Sequence, residues 1–162
     1  MLQAVEPVEV KQSVADGYEP ILLSTQVLFD KYWAQCVPLF ERVVSEAMHG
    51  ELTVDDMYTR ALAGQMYIII AKNDEPEVPD VRLAMALELV YYPRYTAMNV
   101  VAIGGKDLRP MIRKFWKHVC GWAYICGVRK MECSVAPAME KILEAVGFER
   151  HYVQMRQDLT EV

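Results

Sequence analysis

Two stretches of this 162-residue chain carry residue types and spacings suited to chemistry. The first is Met98 to Cys126, MNVVAIGGKDLRPMIRKFWKHVCGWAYIC, an apolar run that breaks at Gly104-Gly105 and restarts as a helix. A strand that ends in glycines and feeds a helix N-terminus presents unpartnered backbone N–H groups and the positive end of the helix dipole, a combination that receives phosphate-bearing ligands. Two adjacent glycines are also the ordinary composition of a tight turn. The second stretch is LAMALELVYY, where Glu88 interrupts an apolar strand and shares a face with Ala84, Ala86, Val90 and Tyr92. The small alanines leave room for a ligand beside the carboxylate; the alternative is a charge exposed on an edge strand or paired with an arginine. Nine tyrosines, among them Tyr92, Tyr124 and Tyr152, supply possible proton donors, although most tyrosines serve cores and interfaces. The four cysteines form no C-x-x-C pair, and His49, His118 and His151 are scattered, so no metal site is expected.

These residues need a scaffold, and the chain supplies alternating strand and helix signals. Residues 1–19 lack a clear period and read as an N-terminal extension, with one domain over 20–162. Ile21 to Leu23 is a short strand, and Ser24 or Thr25 caps a helix from Gln26 to about Met48, where Pro38 predicts a kink or a break. Thr53-Val54-Asp55-Asp56 resembles a capping box that opens a second helix. Met66–Ala71, Val81–Tyr92 and Tyr95–Ile103 read as an antiparallel meander, because their connections are too short for crossover helices. Asp107 can cap the next helix, whose apolar stripe includes Met111, Ile112, Phe115 and Val119. Its remaining face carries Arg109, Arg113, Lys114, Lys117 and His118, either a solvated surface or an approach to a phosphate. Val128–Val135 is a strand, Pro137 starts a helix that stops at Gly147, and Phe148–Leu159 is a last strand. The class is α/β, a mixed twisted sheet of about six strands with about four helices.

Composition narrows the function classes. Seventeen basic against 22 acidic residues leave a net charge of −5, which argues against a protein whose main task is gripping nucleic-acid phosphates. The longest apolar runs fall far short of the roughly 20 residues of a membrane span. The first residues, MLQAVEPVEVKQ, show no secretory pattern, and with unpaired cysteines this predicts a cytoplasmic location.

The order of elements, together with ALAGQMYIIIAKN, LELVYYPR, VVAIGGKDLRPMIRKFW and AVGFERHYVQMRQDL, resembles the GNAT superfamily of acyl-CoA-dependent N-acyltransferases over residues 20–160. The combination looks most like the small GNAT-like proteins of tailed bacteriophages, which would place the protein in a host cell or in a virion. The resemblance implies acetyl-CoA as acyl donor, lying along the backbone of Val101, Ala102 and Ile103, with its pyrophosphate on a loop of Gly104, Gly105, Lys106, Asp107 and Leu108. It also implies a base and an acid. The family's tyrosine position, five residues before the phenylalanine of the G-F pair, is Leu143 here, and the family's glutamate on the central strand is matched by Asn99. Glu88 is therefore the candidate base and Tyr152 a candidate acid, with Tyr92 and Tyr124 as alternatives. The loop reads I-G-G-K-D-L and departs from the family's R/Q-x-x-G-x-G/A. Two functions follow from the resemblance: acetyl transfer to a primary amine of a small molecule, a host-protein lysine or a modified nucleic acid, or a GNAT-shaped component without chemistry, associated with a virion, a host factor or a second copy.

Overall fold

The computed structural model describes residues 12–160. The elements run β1 (Glu19–Leu22), α1 (Gln26–Ala47), α2 (Val54–Leu62), β2 (Tyr67–Asn73), β3 (Asp80–Tyr91), β4 (Thr96–Gly105), α3 (Leu108–Ile125), β5 (Val128–Cys133) and α4 (Pro137–Glu144). The strands lie side by side in chain order, antiparallel from β1 to β4. The pair β4–β5 is parallel, because α3 carries the chain back across the sheet before β5 begins.

Period-two alternation sends β3 side chains into two separate cores. Leu83, Met85 and Leu87 join Met98, Met111, Phe115 and Trp116 on the α3 side. Ala84 and Ala86 join Phe29, Phe40, Met57, Ile68 and Ile70 on the side of α1 and α2. The small residues of β3 are thus covered by helices, and the space expected beside them for a ligand is filled by core. Pro38 lies inside α1, which continues through it as one element and not as two helices. Buried Cys36, Leu39 and Phe40 hold α1 to the sheet on either side of the proline, while Pro38 itself faces solvent. The capping box forms as expected: Thr53 accepts from the Asp56 N–H at 3.1 Å, and the Asp56 carboxylate accepts from the Thr53 N–H at 2.9 Å.

Two expectations change. The sheet has five strands among the described residues, and Phe148–Leu159 follows α4 without strand pairing. Alternation supplies strand propensity, but a strand exists only where a neighbour offers its edge. Most of the expected 1–19 extension lies outside the described residues. Its described part packs on the domain: Ala15 is buried in the α3-side core, Lys114 Nζ donates to the Ala15 carbonyl at 2.9 Å, Tyr18 hydrogen-bonds Asp80, and Glu19 already belongs to β1.

Candidate active site at the opening between β4 and β5

The site is built by an extra residue. Opposite β3, Ala86 faces Ala102 and Leu87 faces Val100, so Val101 is inserted as a β-bulge. A bulge bends its strand and increases the local twist. Pairing between β4 and β5 ends one residue earlier, at Val100 and Cys133. From Ala102 to Gly105, β4 therefore keeps its pairing with β3, and from Val101 on it has no described strand partner on its other side. The backbone of Val101, Ala102 and Ile103 borders this opening, where the resemblance put the acyl chain.

The glycine pair has a different origin from the expected turn. Both glycines lie inside β4, Gly104 opposite Ala84 and Gly105 opposite Leu83. A Cβ on Gly104 would stand 2.4 Å from the Leu39 carbonyl oxygen of α1, and one on Gly105 would stand 2.6 Å from that of Arg82. Close backbone packing requires glycine at both positions. The turn comes at Lys106, whose N–H donates to the Arg82 carbonyl at 2.9 Å, and at Asp107, which is left-handed at φ 53.

Asp107 was expected to cap α3, and its side chain makes no capping hydrogen bond. Its carboxylate instead accepts from Arg82 at 3.4 Å, and its backbone carbonyl opens the helix by accepting from the Met111 N–H at 3.2 Å. The first turn of α3 thus has no acidic side chain and no side-chain cap, leaving its N–H groups for solvent or an anion. Beyond it, Arg109, Arg113 and Lys141 line a small cavity of about 30 Å³ between α3 and α4 together with Ile142, Ala145 and Val146. The rest of the basic face, Lys114, Lys117 and His118, is exposed.

A polar row crosses the sheet next to the bulge. Register aligns Glu88 of β3 with Asn99 of β4, and Asn99 with Glu132 of β5. Glu88 accepts from Asn99 Nδ2 at 3.0 Å and from Arg60 of α2 at 3.1 Å. Glu132 accepts from the Tyr92 hydroxyl at 2.9 Å, and this bond raises the Tyr92 phenol above the ordinary tyrosine value. Tyr152 lies outside this row, on the exposed segment after α4. That segment runs past the opening: the Gln154 amide donates to Ser134 Oγ at 3.1 Å just beyond β5, and Arg156 pairs with Glu51 in the α1–α2 loop. Leu143, at the family's tyrosine position, is buried core. Glu132, Arg60 and Lys141 had escaped the sequence reading. Glu132 left a trace as the one acidic residue of the charge-rich strand VRKMEC, whereas Arg60 and Lys141 reach the site from helices whose placement is tertiary. Among the described residues no metal-ligating cluster occurs, and no helix is long and apolar enough to cross a membrane.

The architecture has close counterparts among solved structures. A probable acetyltransferase superposes with a TM-score of 0.67 at 13% identity, covering 88% of this chain and 99% of the other. An aminoglycoside acetyltransferase from an uncultured soil metagenomic sample, in complex with sisomicin, gives 0.66 at 11% identity over 91% and 100%. The fold is GNAT-like. Glucosamine-6-phosphate N-acetyltransferase from Arabidopsis thaliana shares it at 0.61 and 10% identity, over 88% and 99%. No protein-family model matches the sequence, and no curated protein matches it either.

Proposed function

We propose that this GNAT-like chain is an N-acyltransferase that moves an acetyl group from acetyl-CoA to a primary amine. The observation that carries the reading is the Val101 bulge, set where β4 parts from β5 and beside an uncapped α3 N-terminus. The residues fit the donor: unpartnered helix N–H groups and the Arg109, Arg113 and Lys141 cations suit its phosphates, and the free side of Val101 to Ile103 suits an extended amide-bearing arm. Bound there, acetyl-CoA supplies an activated acyl carbon.

The chain's own groups have three tasks. Backbone N–H groups of the bulged stretch stabilise the oxygen on which charge develops during attack. Glu88 removes a proton from the incoming amine; Asn99 and Arg60 use two of its four acceptor sites and hold the carboxylate in orientation. Tyr152 returns a proton to the departing sulfur from the segment that passes Ser134. Isothermal titration with acetyl-CoA tests the donor site: saturable one-to-one binding that weakens on Lys141→Glu is expected, and absence of binding sinks the reading. Glu88→Gln is expected to lower kcat roughly 100-fold or more in amine acetylation with binding retained, in line with general-base contributions.

A specific set of observations favours a second reading, a GNAT-shaped binding protein without chemistry, virion-associated if the chain is phage-encoded. Glu88 is engaged by an arginine, Leu143 replaces the family's tyrosine, and both glycines serve packing. Turnover lost in Glu88→Gln removes this reading; acetyl-CoA binding without turnover on any amine supports it.

A further inference from the structure

We propose that Arg82 is a positioning residue of the donor site: it holds the Asp107 carboxylate off the first N–H groups of α3 and leaves them to a phosphate, an inference that rests on the acetyl-CoA reading of that site. Asp107 is the one carboxylate in the turn between β4 and α3. A carboxylate so close to the positive end of a helix competes with a bound anion, by its charge and by accepting the same N–H groups. Here it makes no capping bond and accepts instead from Arg82 Nη1 at 3.4 Å.

The placement of Arg82 is built into β3. Opposite β2, Ala71 faces Leu83 and Lys72 faces Val81, so Arg82 is an inserted residue, a second bulge besides that of Val101. Its neighbours register the change: Leu83 joins the α3-side core, and Val81, two residues away, joins the opposite one. A bulge re-aims a side chain, and this one is aimed at Asp107. Other groups fix it there. The Tyr18 ring lies 5.1 Å from the guanidinium and the Asp80 carboxylate 3.7 Å, while Tyr18 and Asp80 are hydrogen-bonded to each other. The Arg82 carbonyl accepts from the Lys106 N–H at 2.9 Å, which ties the same residue to the turn through its backbone.

This arrangement costs more than an incidental surface pair. Arg82 Nε is buried without a hydrogen-bond partner, a penalty that folded proteins seldom keep without a use. The ion pair returns little stability, since the Asp107 side chain is half exposed. What it changes is the field at the turn, where the acid is both neutralised and drawn towards β3.

Isothermal titration of acetyl-CoA into the full-length wild type, Arg82→Gln, Asp107→Gly and the double variant tests the coupling. Arg82→Gln is expected to weaken binding roughly tenfold, the order of one uncompensated charge several ångströms from a phosphate near a protein surface. Asp107→Gly removes the carboxylate at a left-handed position that suits glycine, and is expected to bind at least as tightly as the wild type. In that background Arg82→Gln is expected to change affinity less than about twofold, because nothing remains to be held. Thermal midpoints accompany the titrations, since a purely structural Arg82 loses affinity in both backgrounds in step with stability. A wild type that binds and an Arg82→Gln variant that binds equally well overturn the inference and leave the acetyl-CoA reading standing. An equal loss in both backgrounds does the same, because Arg82 would then act directly on the phosphate or on folding. A wild type that binds no acetyl-CoA overturns both.

Discussion

Gly104 sets the distance at which α1 crosses the sheet, and Gly105 sets the fit of β4 against β3. An added methyl meets a backbone oxygen in both cases, and backbone cannot step aside as the end of a flexible side chain can. Gly104→Ala is expected to cost about 1–3 kcal/mol in urea unfolding, the range for overpacking a filled site. For the same reason a bulky residue at Gly105 tests folding before it tests ligand binding. Glu51 is one of two carboxylates, with Glu140, through which pH reaches the C-terminal segment. The hydrogen bond from Arg156, then backbone N–H bonds, lower its carboxyl from 4.5 to about 2. A depressed folded value means that this contribution to stability is complete above the ordinary value and is lost as pH falls through 4.5 towards 2. Both groups are substantially exposed, so the energy is small, and the clean readout is NMR titration. The Glu51 midpoint is expected near 2 in the wild type and shifted towards the ordinary value in Arg156→Ala.

At the scale of elements, the turn between β4 and α3 separates two roles for Asp107. Asp107 makes no cap and instead occupies the left-handed region. Asp107→Gly is therefore expected to fold at least as stably as the wild type. Asp107→Val is expected to lose about 1–2 kcal/mol, the left-handed penalty of a residue with a branched Cβ. Chemical denaturation of the pair checks both outcomes. The ion pair to Arg82 weighs little in this comparison, since Asp107 is half exposed.

Across the whole molecule, the four thiols sample the two cores and the surface between them. Cys36 is fully buried under α1, and burial pushes its thiol up to about 12. Cys120 and Cys133 are half-buried and also raised by desolvation, while Cys126 is exposed just past α3. A thiol reagent such as dithionitrobenzoate is expected to label Cys126 at once in the native state. Cys120 and Cys133 should follow slowly, and Cys36 only at the rate of global unfolding. Fast labelling of Cys36 would mean that α1 lifts from the sheet on its own.

Much of the fold was legible in the chain itself. The capping box at Thr53, the apolar stripe of α3, the β2–β4 meander and the helix started by Pro137 all rest on local chemistry: caps, period and short connections. The neighbourhood of Val101 was singled out through the resemblance and through no local pattern. The tertiary structure decided what nothing local encodes. The Val101 bulge depends on how β3 aligns with β4, and VVAIGG contains no mark of an extra residue. The glycines look like a turn until α1 and β3 are seen pressing on them. The arginine on Glu88 arrives from a helix 28 residues earlier in the chain. Phe148–Leu159 has the pattern of a strand and no strand partner among the described residues, because pairing belongs to the edge that receives a segment as much as to the segment.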